Sequence, residues 1–276
     1  MNTALLCAVA QTARGRFLAL GLLTLLATAA PAAAAELTRG DTGSVREIVD
    51  GDTLILKDGR EIRLVGIQAP KLPLGRRGFR EWPLAREAKA ALKRLSAGRL
   101  VRLSFGGRRR DRHGRWLAHL HLSDEKTNTS IWLQGELLRT GLARVYSFAD
   151  NRAKVAEMLA LERQARAARR GIWAHDYYRI LNQREAASRA NSFQLVEGRV
   201  LTVAPTRARV FLNFGQNWRT DFTIVVARRH LRNFPDRERS LLEMAGKRVR
   251  VRGWLKRRNG PMITISHPEQ IEVLNR

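Results

Sequence analysis

At 276 residues and 44% hydrophobic side chains, the chain is long enough for two compact domains and too apolar to be wholly disordered. Its 51 Lys and Arg against 25 Asp and Glu give a net charge of +26. That excess points to a polyanionic partner: nucleic acid first, an anionic envelope polymer or membrane surface second.

The N-terminus reads as an address. Arg14 and Arg16 precede an almost wholly apolar run from Phe17 to Ala30, and Pro31 leads to Ala33-Ala34-Ala35 with no acidic residue before Glu36. This is the order of a signal peptide, so residues 1–35 are expected to be removed near Ala35 and the protein to be periplasmic or secreted. Cleavage would also remove Cys7, the one cysteine, which leaves no disulfide, thiol nucleophile or cysteine metal site.

After a short segment, 36–44, strand signals begin. Val45–Val49 and Thr53–Leu56 flank an Asp50-Gly51 turn, and Lys57-Asp58-Gly59 leads into Glu61–Val65. Asp-Gly pairs between β-rich runs mark hairpins. A basic loop from Gly75 to Gly78 precedes Leu84–Leu95, whose apolar residues recur at helical spacing. Val101–Phe105 and Trp116–Leu122 read as two further strands around the arginine-rich loop 106–115. Ile131–Thr140 reads as a short helix stopped by Gly141, and Lys154–Arg170 as a longer one stopped by Gly171. Five strands with a helix after the third is the OB-fold arrangement, a small barrel that often binds oligonucleotides.

Residues 181–192 read as a linker, and strand signals then resume to the C-terminus: Leu195–Val203, Arg209–Phe214, Phe222–Val226, a helical segment at Arg239–Met244, Arg248–Leu255 and Met262–Ser266. Ala97-Gly98-Arg99-Leu100-Val101-Arg102-Leu103 is echoed by Ala245-Gly246-Lys247-Arg248-Val249-Arg250-Val251. The expected class is therefore mainly β with α (α+β): an OB-fold five-stranded barrel with C-terminal helices over 45–180, then a second OB-like β-barrel over 193–276. Phe211, Phe214, Trp218 and Phe222 with the nearby arginines make the second barrel a second nucleic-acid platform, a spacer, or a module docked on the first.

Four motifs occur in order: Val49-Asp50-Gly51-Asp52-Thr53-Leu54; Ile62-Arg63-Leu64-Val65-Gly66-Ile67-Gln68-Ala69-Pro70-Lys71; Asp111-Arg112-His113-Gly114-Arg115-Trp116; and Gly141-Leu142-Ala143-Arg144-Val145 with Gly171-Ile172-Trp173. Over about 45–173 they resemble the staphylococcal nuclease (thermonuclease) family, which hydrolyses DNA and RNA phosphodiesters with a calcium ion. The resemblance implies that Asp52 is a metal ligand and that Arg63 and Arg115 are catalytic arginines, whose planar fork pairs with phosphate oxygens.

Two acidic positions of the family are changed. Gln68 stands for the second metal-binding aspartate, and Lys71 for the glutamate that activates water. Asp52, Arg63, Lys71 and Arg115 sum to +2, so the pocket is expected to attract phosphate and repel a divalent ion. Arg76, Arg77, Arg108, Arg109, Arg110 and Arg112 are the expected phosphate-gripping loops, with Lys71, and Tyr146 the expected base contact, beside Phe148. Three readings follow: a nucleic-acid binder with weak or lost hydrolysis; an active nuclease in which Glu81 or Glu87 replaces the missing carboxylate; or a non-catalytic envelope-binding module. His119 and His121 alternate on one strand and could share a metal only with a third ligand.

Overall fold

The computed structural model describes residues 36–124 and 129–274; the expected signal peptide lies outside them. Residues 34–276 form one compact unit.

The first part is a closed five-stranded barrel. Its strands are β1 (Thr38–Asp50), β2 (Thr53–Leu56), β3 (Glu61–Leu64), and, after β4 (Gly66–Gln68) and the helix α1 (Ala85–Ser96), β5 (Leu100–Phe105) and β6 (Trp116–Asp124). The pairing order β3-β2-β1-β5-β6 closes through a parallel β3–β6 ladder. Leu54, Leu56, Ile62, Leu64, Val101, Leu103 and Leu120 alternate inward to fill it. A hairpin strand, β7 (Thr129–Trp132), then α2 (Leu133–Arg139), β8 (Arg144–Tyr146) and α3 (Val155–Ala167) pack against its side.

The segment 36–44 is largely strand rather than a leader to the barrel. Thr38 pairs with Phe105 and Ser44 with Leu100. Its polar residues conceal this, because the register is carried by backbone bonds on a strand that shows little apolar alternation.

The second part is a curled sheet built from β9 (Leu181–Asn182), β10 (Ser192–Arg199), β11 (Thr202–Pro205), β12 (Arg209–Asn213), β13 (Thr223–Ala227), the short helix α4 (Glu238–Leu242), β14 (Arg248–Arg258), β15 (Gly260–Ile265) and β16 (Ile271–Val273). The 181–192 stretch is not a free linker: Leu181 is buried and pairs with Val196, and Ala186 is buried in the same core. Its polar composition hides two apolar anchors.

The two parts repeat one plan. β1 pairs with β2 and β5; the consecutive β10 and β11 pair with β14 and β12. Each contains a parallel ladder at the equivalent place, β3 with β6 and β13 with β15. The sequence echo falls at equivalent places. Gly98 and Gly246 both turn with φ near +75° (72° and 77°), and each donates its N–H to a valine carbonyl, Val45 or Val200, whose own N–H returns to Arg99 or Lys247. Only glycine adopts that turn without strain.

Two buried charges, Glu162 and Arg252, tie the parts together. The Glu162 carboxylate on α3 accepts from both terminal nitrogens of Arg252 on β14 at 2.9 Å, from Arg166 at 3.0 Å and from the Val145 N–H at 2.6 Å. Arg252 also donates to Glu272 at 2.7 Å. Burial would raise the Glu162 pKa, but Arg252, the Val145 N–H and Arg166 together outweigh it and the net shift is downward. Arg152 pairs with Glu269, and the Ser147 hydroxyl meets His267 Nε2 at 2.8 Å.

His119 and His121 do not form a metal pair. His119 is buried against Trp132, and no cluster of three His, Cys, Asp or Glu side chains suited to a metal occurs among the described residues. Burial, with the charges of His121 and Lys154, lowers the His119 pKa to about 3, and burial lowers that of His267 to about 4. Unfolded imidazoles take a proton near pH 6.5, so below that pH the unfolded chain binds more protons and stability falls as pH drops towards 4. The slope from His119 alone approaches about 1.4 kcal/mol per pH unit. Denaturant titrations at pH 7, 5.5 and 4.5 should show it, and His119→Gln should flatten it.

Candidate nucleic-acid interface

The hairpin joining β1 and β2 sets the site. Gly51 at its tip has no room for a side chain: a Cβ there would lie 2.7 Å from the Cβ atoms of Ala69 and Ala88. This close approach presses Asp50 and Asp52 between β4 and α1 and buries both. The Asp52 Oδ2 accepts the Ala69 N–H at 2.7 Å, and its Oδ1 lies 3.2 Å from Arg63 Nη1.

Lys71 completes the arrangement. Its ammonium donates to Asp52 Oδ1 at 2.6 Å and to Asp50 Oδ2 at 3.1 Å. Burial would raise the Asp52 pKa, yet Arg63 and Lys71 together hold it at about 2. Asp50, by contrast, is raised, by burial and by the charge of Asp52. The hairpin is thus a pair of carboxylates bridged by a cation belonging to the chain itself.

Gln68 is likewise engaged. Its Oε1 accepts from Arg144 Nε at 3.0 Å and Nη2 at 2.7 Å, so this oxygen does not face Asp52 as a neutral metal ligand. Arg144 is buried, and burial brings its pKa down to about 10. Glu81 pairs with Arg86, and Glu87 is exposed on the first turn of α1. Neither has a hydrogen bond or ion pair to Asp52, Arg63 or Lys71 among the described residues.

These contacts answer whether the residues present fit a calcium ion. Both oxygens of Asp52 and the oxygen of Gln68 already accept from the protein. A divalent ion would have to displace Lys71 or lie beside it, and two unit charges 4 Å apart repel by about 4 kcal/mol at an intermediate dielectric, a divalent ion by more. The site does not fit the metal.

Arg63 links this pair to a cleft of about 520 Å³, whose lining includes Arg63 but not Asp50, Asp52 or Lys71. Arg63 and Arg115 line its floor, with Arg108 and Arg112 from the loop between β5 and β6. Arg63 reaches back to the carbonyls of Leu64 and Ile67 at 2.7 and 2.6 Å. Arg115 pairs with Asp111 at 2.8 Å, and although burial opposes it, that bond helps lower the Asp111 pKa. The +2 count therefore needs correction. Asp50 pairs with Lys71 and Asp111 with Arg115, which brings the count to neutrality, so the net positive charge of the cleft lining comes from Arg108 and Arg112 set against Asp150.

The arginine loop divides. Arg109 lies over Phe105 and Arg110 over Trp116, at 4.8 and 4.2 Å from the ring centres, outside the cleft lining. Aromatic neighbours draw their planar heads aside. Arg76 stacks on Phe79 at 3.7 Å and donates to the Leu72 and Pro73 carbonyls; with the exposed Arg77 it too stands outside that lining.

One wall of the cleft is aromatic. Tyr146 and Phe148 meet edge to face with ring centres 4.8 Å apart, and Trp254 of β14 donates its indole N–H to the Tyr146 hydroxyl at 2.9 Å. Phe148 and Trp254 remain nearly half exposed, at 46% and 45%. Trp254 was invisible to sequence reasoning about this site, because it comes from the second part of the chain.

A staphylococcal nuclease homologue family model matches residues 61–175. Protein ParB of Escherichia coli is 34% identical over 158 residues, covering 55% of this chain and 80% of that protein. The thermonuclease of Staphylococcus hyicus is 29% identical over 137 residues, 49% of this chain and 76% of that enzyme. The chain belongs to the staphylococcal nuclease family. Membership rests on the first barrel and its helices; the family match begins at Glu61, so the Asp50–Asp52 hairpin precedes it. A probable staphylococcal-like nuclease of rice, CAN2, shares 29% identity over 134 residues, 31% of its own length.

Proposed function

We propose that this member of the staphylococcal nuclease family binds nucleic acid in its basic cleft without a metal ion and hydrolyses it weakly or not at all. The observation that carries this reading is the Lys71 ammonium, 2.6 Å from Asp52 and 3.1 Å from Asp50. A carboxylate at that position could hold a hard cation or accept a proton from water; an ammonium does neither. What remains of the family chemistry is recognition. Arg63, Arg115, Arg108 and Arg112 would contact phosphate oxygens, while Tyr146, Phe148 and Trp254 offer faces to bases. Binding through arginines to phosphates should weaken steeply with added salt, because releasing the condensed counterions then gains less. The N-terminal apolar run supports a periplasmic or secreted setting, where free nucleic acid would be the partner.

The test is cleavage of labelled single-stranded DNA and RNA by protein starting at Glu36, with calcium, magnesium, manganese or EDTA. No metal-dependent product is expected. Metal-dependent cutting that Arg115→Ala abolishes would refute the reading.

A further inference from the structure

The repeated plan of the two parts has a functional counterpart in the second. The first cleft is lined from β3, β6 and the hairpin loop that enters β6. A recess of about 450 Å³ lies at β13 and β15, the counterparts of β3 and β6, together with β12 and the loop that enters β15. Its size is that of a small-ligand site. In OB-type barrels this face and this loop are the common place for oligonucleotides.

The recess has a flat apolar floor and a cationic rim. Trp218 is 53% exposed, an unusual position for so large an apolar surface, and Phe211 and Met262 lie beside it, half-buried. Arg209 and Arg258 border it, and Arg219 sits 4.5 Å from the Trp218 ring centre. None of these three arginines has a carboxylate partner among the described residues. The one acid in the lining, Asp221, accepts from the Asn217 N–H and the Thr220 hydroxyl, and the three arginines outnumber it, so the rim is cationic. Lys256 and Arg257 extend the charge along the same hairpin, both exposed.

We propose that this recess is a second binding site for single-stranded nucleic acid, with Trp218 and Phe211 stacking a base and Arg209 and Arg258 holding the adjoining phosphates. Exposed aromatics between unpaired guanidinium groups suit a strand with flat faces and a charged backbone. The inference shares its ligand with the proposed function but rests on different residues, so the two can fail separately.

The experiment uses the chain from Glu36, a short oligothymidylate read by anisotropy, and the same oligonucleotide carrying 5-iodouracil for photocrosslinking and peptide mapping. Two oligonucleotides should bind per chain, with crosslinks at Trp218 and at the Tyr146–Trp254 wall. Trp218→Ala should weaken the second binding event by roughly five- to 150-fold, the loss of one stacked base, and abolish only the Trp218 crosslink. Arg258→Gln should weaken the same event and reduce its salt dependence. Trp254→Ala should spare it. Unchanged binding in Trp218→Ala, with crosslinks confined to the first cleft, would overturn the inference and leave the proposed function standing. Crosslinks at Trp218 alone would support the inference and count against the first cleft. Binding of anionic vesicles or acidic glycan fragments that depends on Trp218, with oligonucleotide binding indifferent to it, would also overturn the inference.

Discussion

Arg252→Met is expected to lower the unfolding free energy by about 3 kcal/mol and to weaken oligonucleotide binding at the same time. The guanidinium is 2% exposed and bridges Glu162 and Glu272. Removing it leaves Glu162 fully buried with only Arg166 and the Val145 N–H for partners. Breaking a buried pair typically costs about 3–5 kcal/mol, chiefly because the surviving charge is stranded. The remaining donors place this case at the low end. Binding should suffer because Arg252 and Trp254 share β14, so the contact that fixes the second part of the chain also sets one wall of the cleft. Urea denaturation and anisotropy on the same preparation check both effects. In the Glu162→Gln, Arg252→Met double variant the loss should fall short of the sum of the single losses, since the two side chains act as one unit. A loss below about 1 kcal/mol in Arg252→Met would mean that apolar packing alone joins the two parts.

Lys71→Met is the second large effect. Two buried carboxylates then keep Arg63 as their one charged neighbour, and a loss of about 3 kcal/mol is expected near neutral pH. The loss should shrink on acidification. Asp50, whose pKa is raised, protonates first, and a neutral Asp50 no longer needs the ammonium. Asp52, held at about 2 in the intact protein, contributes stability that is present above its unfolded pKa near 3.9 and is lost as pH falls through its folded value. The variant should also bind calcium. Millimolar calcium should raise its Tm by mass action on the folded state, and leave the intact protein unmoved. A Tm in the intact protein that rises with calcium would contradict the account of Lys71.

The barrel could be read in advance because its signals are local. The Asp50-Gly51 hairpin, the helical spacing of Leu84–Leu95 and the glycine stops at Gly141 and Gly171 each report on their own few residues. The strand at 38–44 and the anchors Leu181 and Ala186 were hidden because they are short or polar and their partners lie far along the chain. The same distance effect governs the site. Position by position, Gln68 and Lys71 could be read as changes of charge. The sequence does not say that Lys71 reaches Asp50 as well as Asp52, or that Arg144 occupies the Gln68 oxygen 76 residues away. The charge count at the site changes for that reason: Asp50 meets Lys71, and Asp111 meets Arg115, only in three dimensions. Arg109 and Arg110 sit in the densest cationic run, yet they leave the cleft because Phe105 and Trp116 offer their rings. Trp254 could not have been assigned to the cleft from a motif, since it comes from the part of the chain that the family model does not cover.

If Lys71 takes the place of a metal ion, the affinity for a short single-stranded oligonucleotide, measured in EDTA and in millimolar calcium, will show it. Equal affinities, both falling steeply with added salt, are predicted. Binding that appears only with calcium would contradict that role.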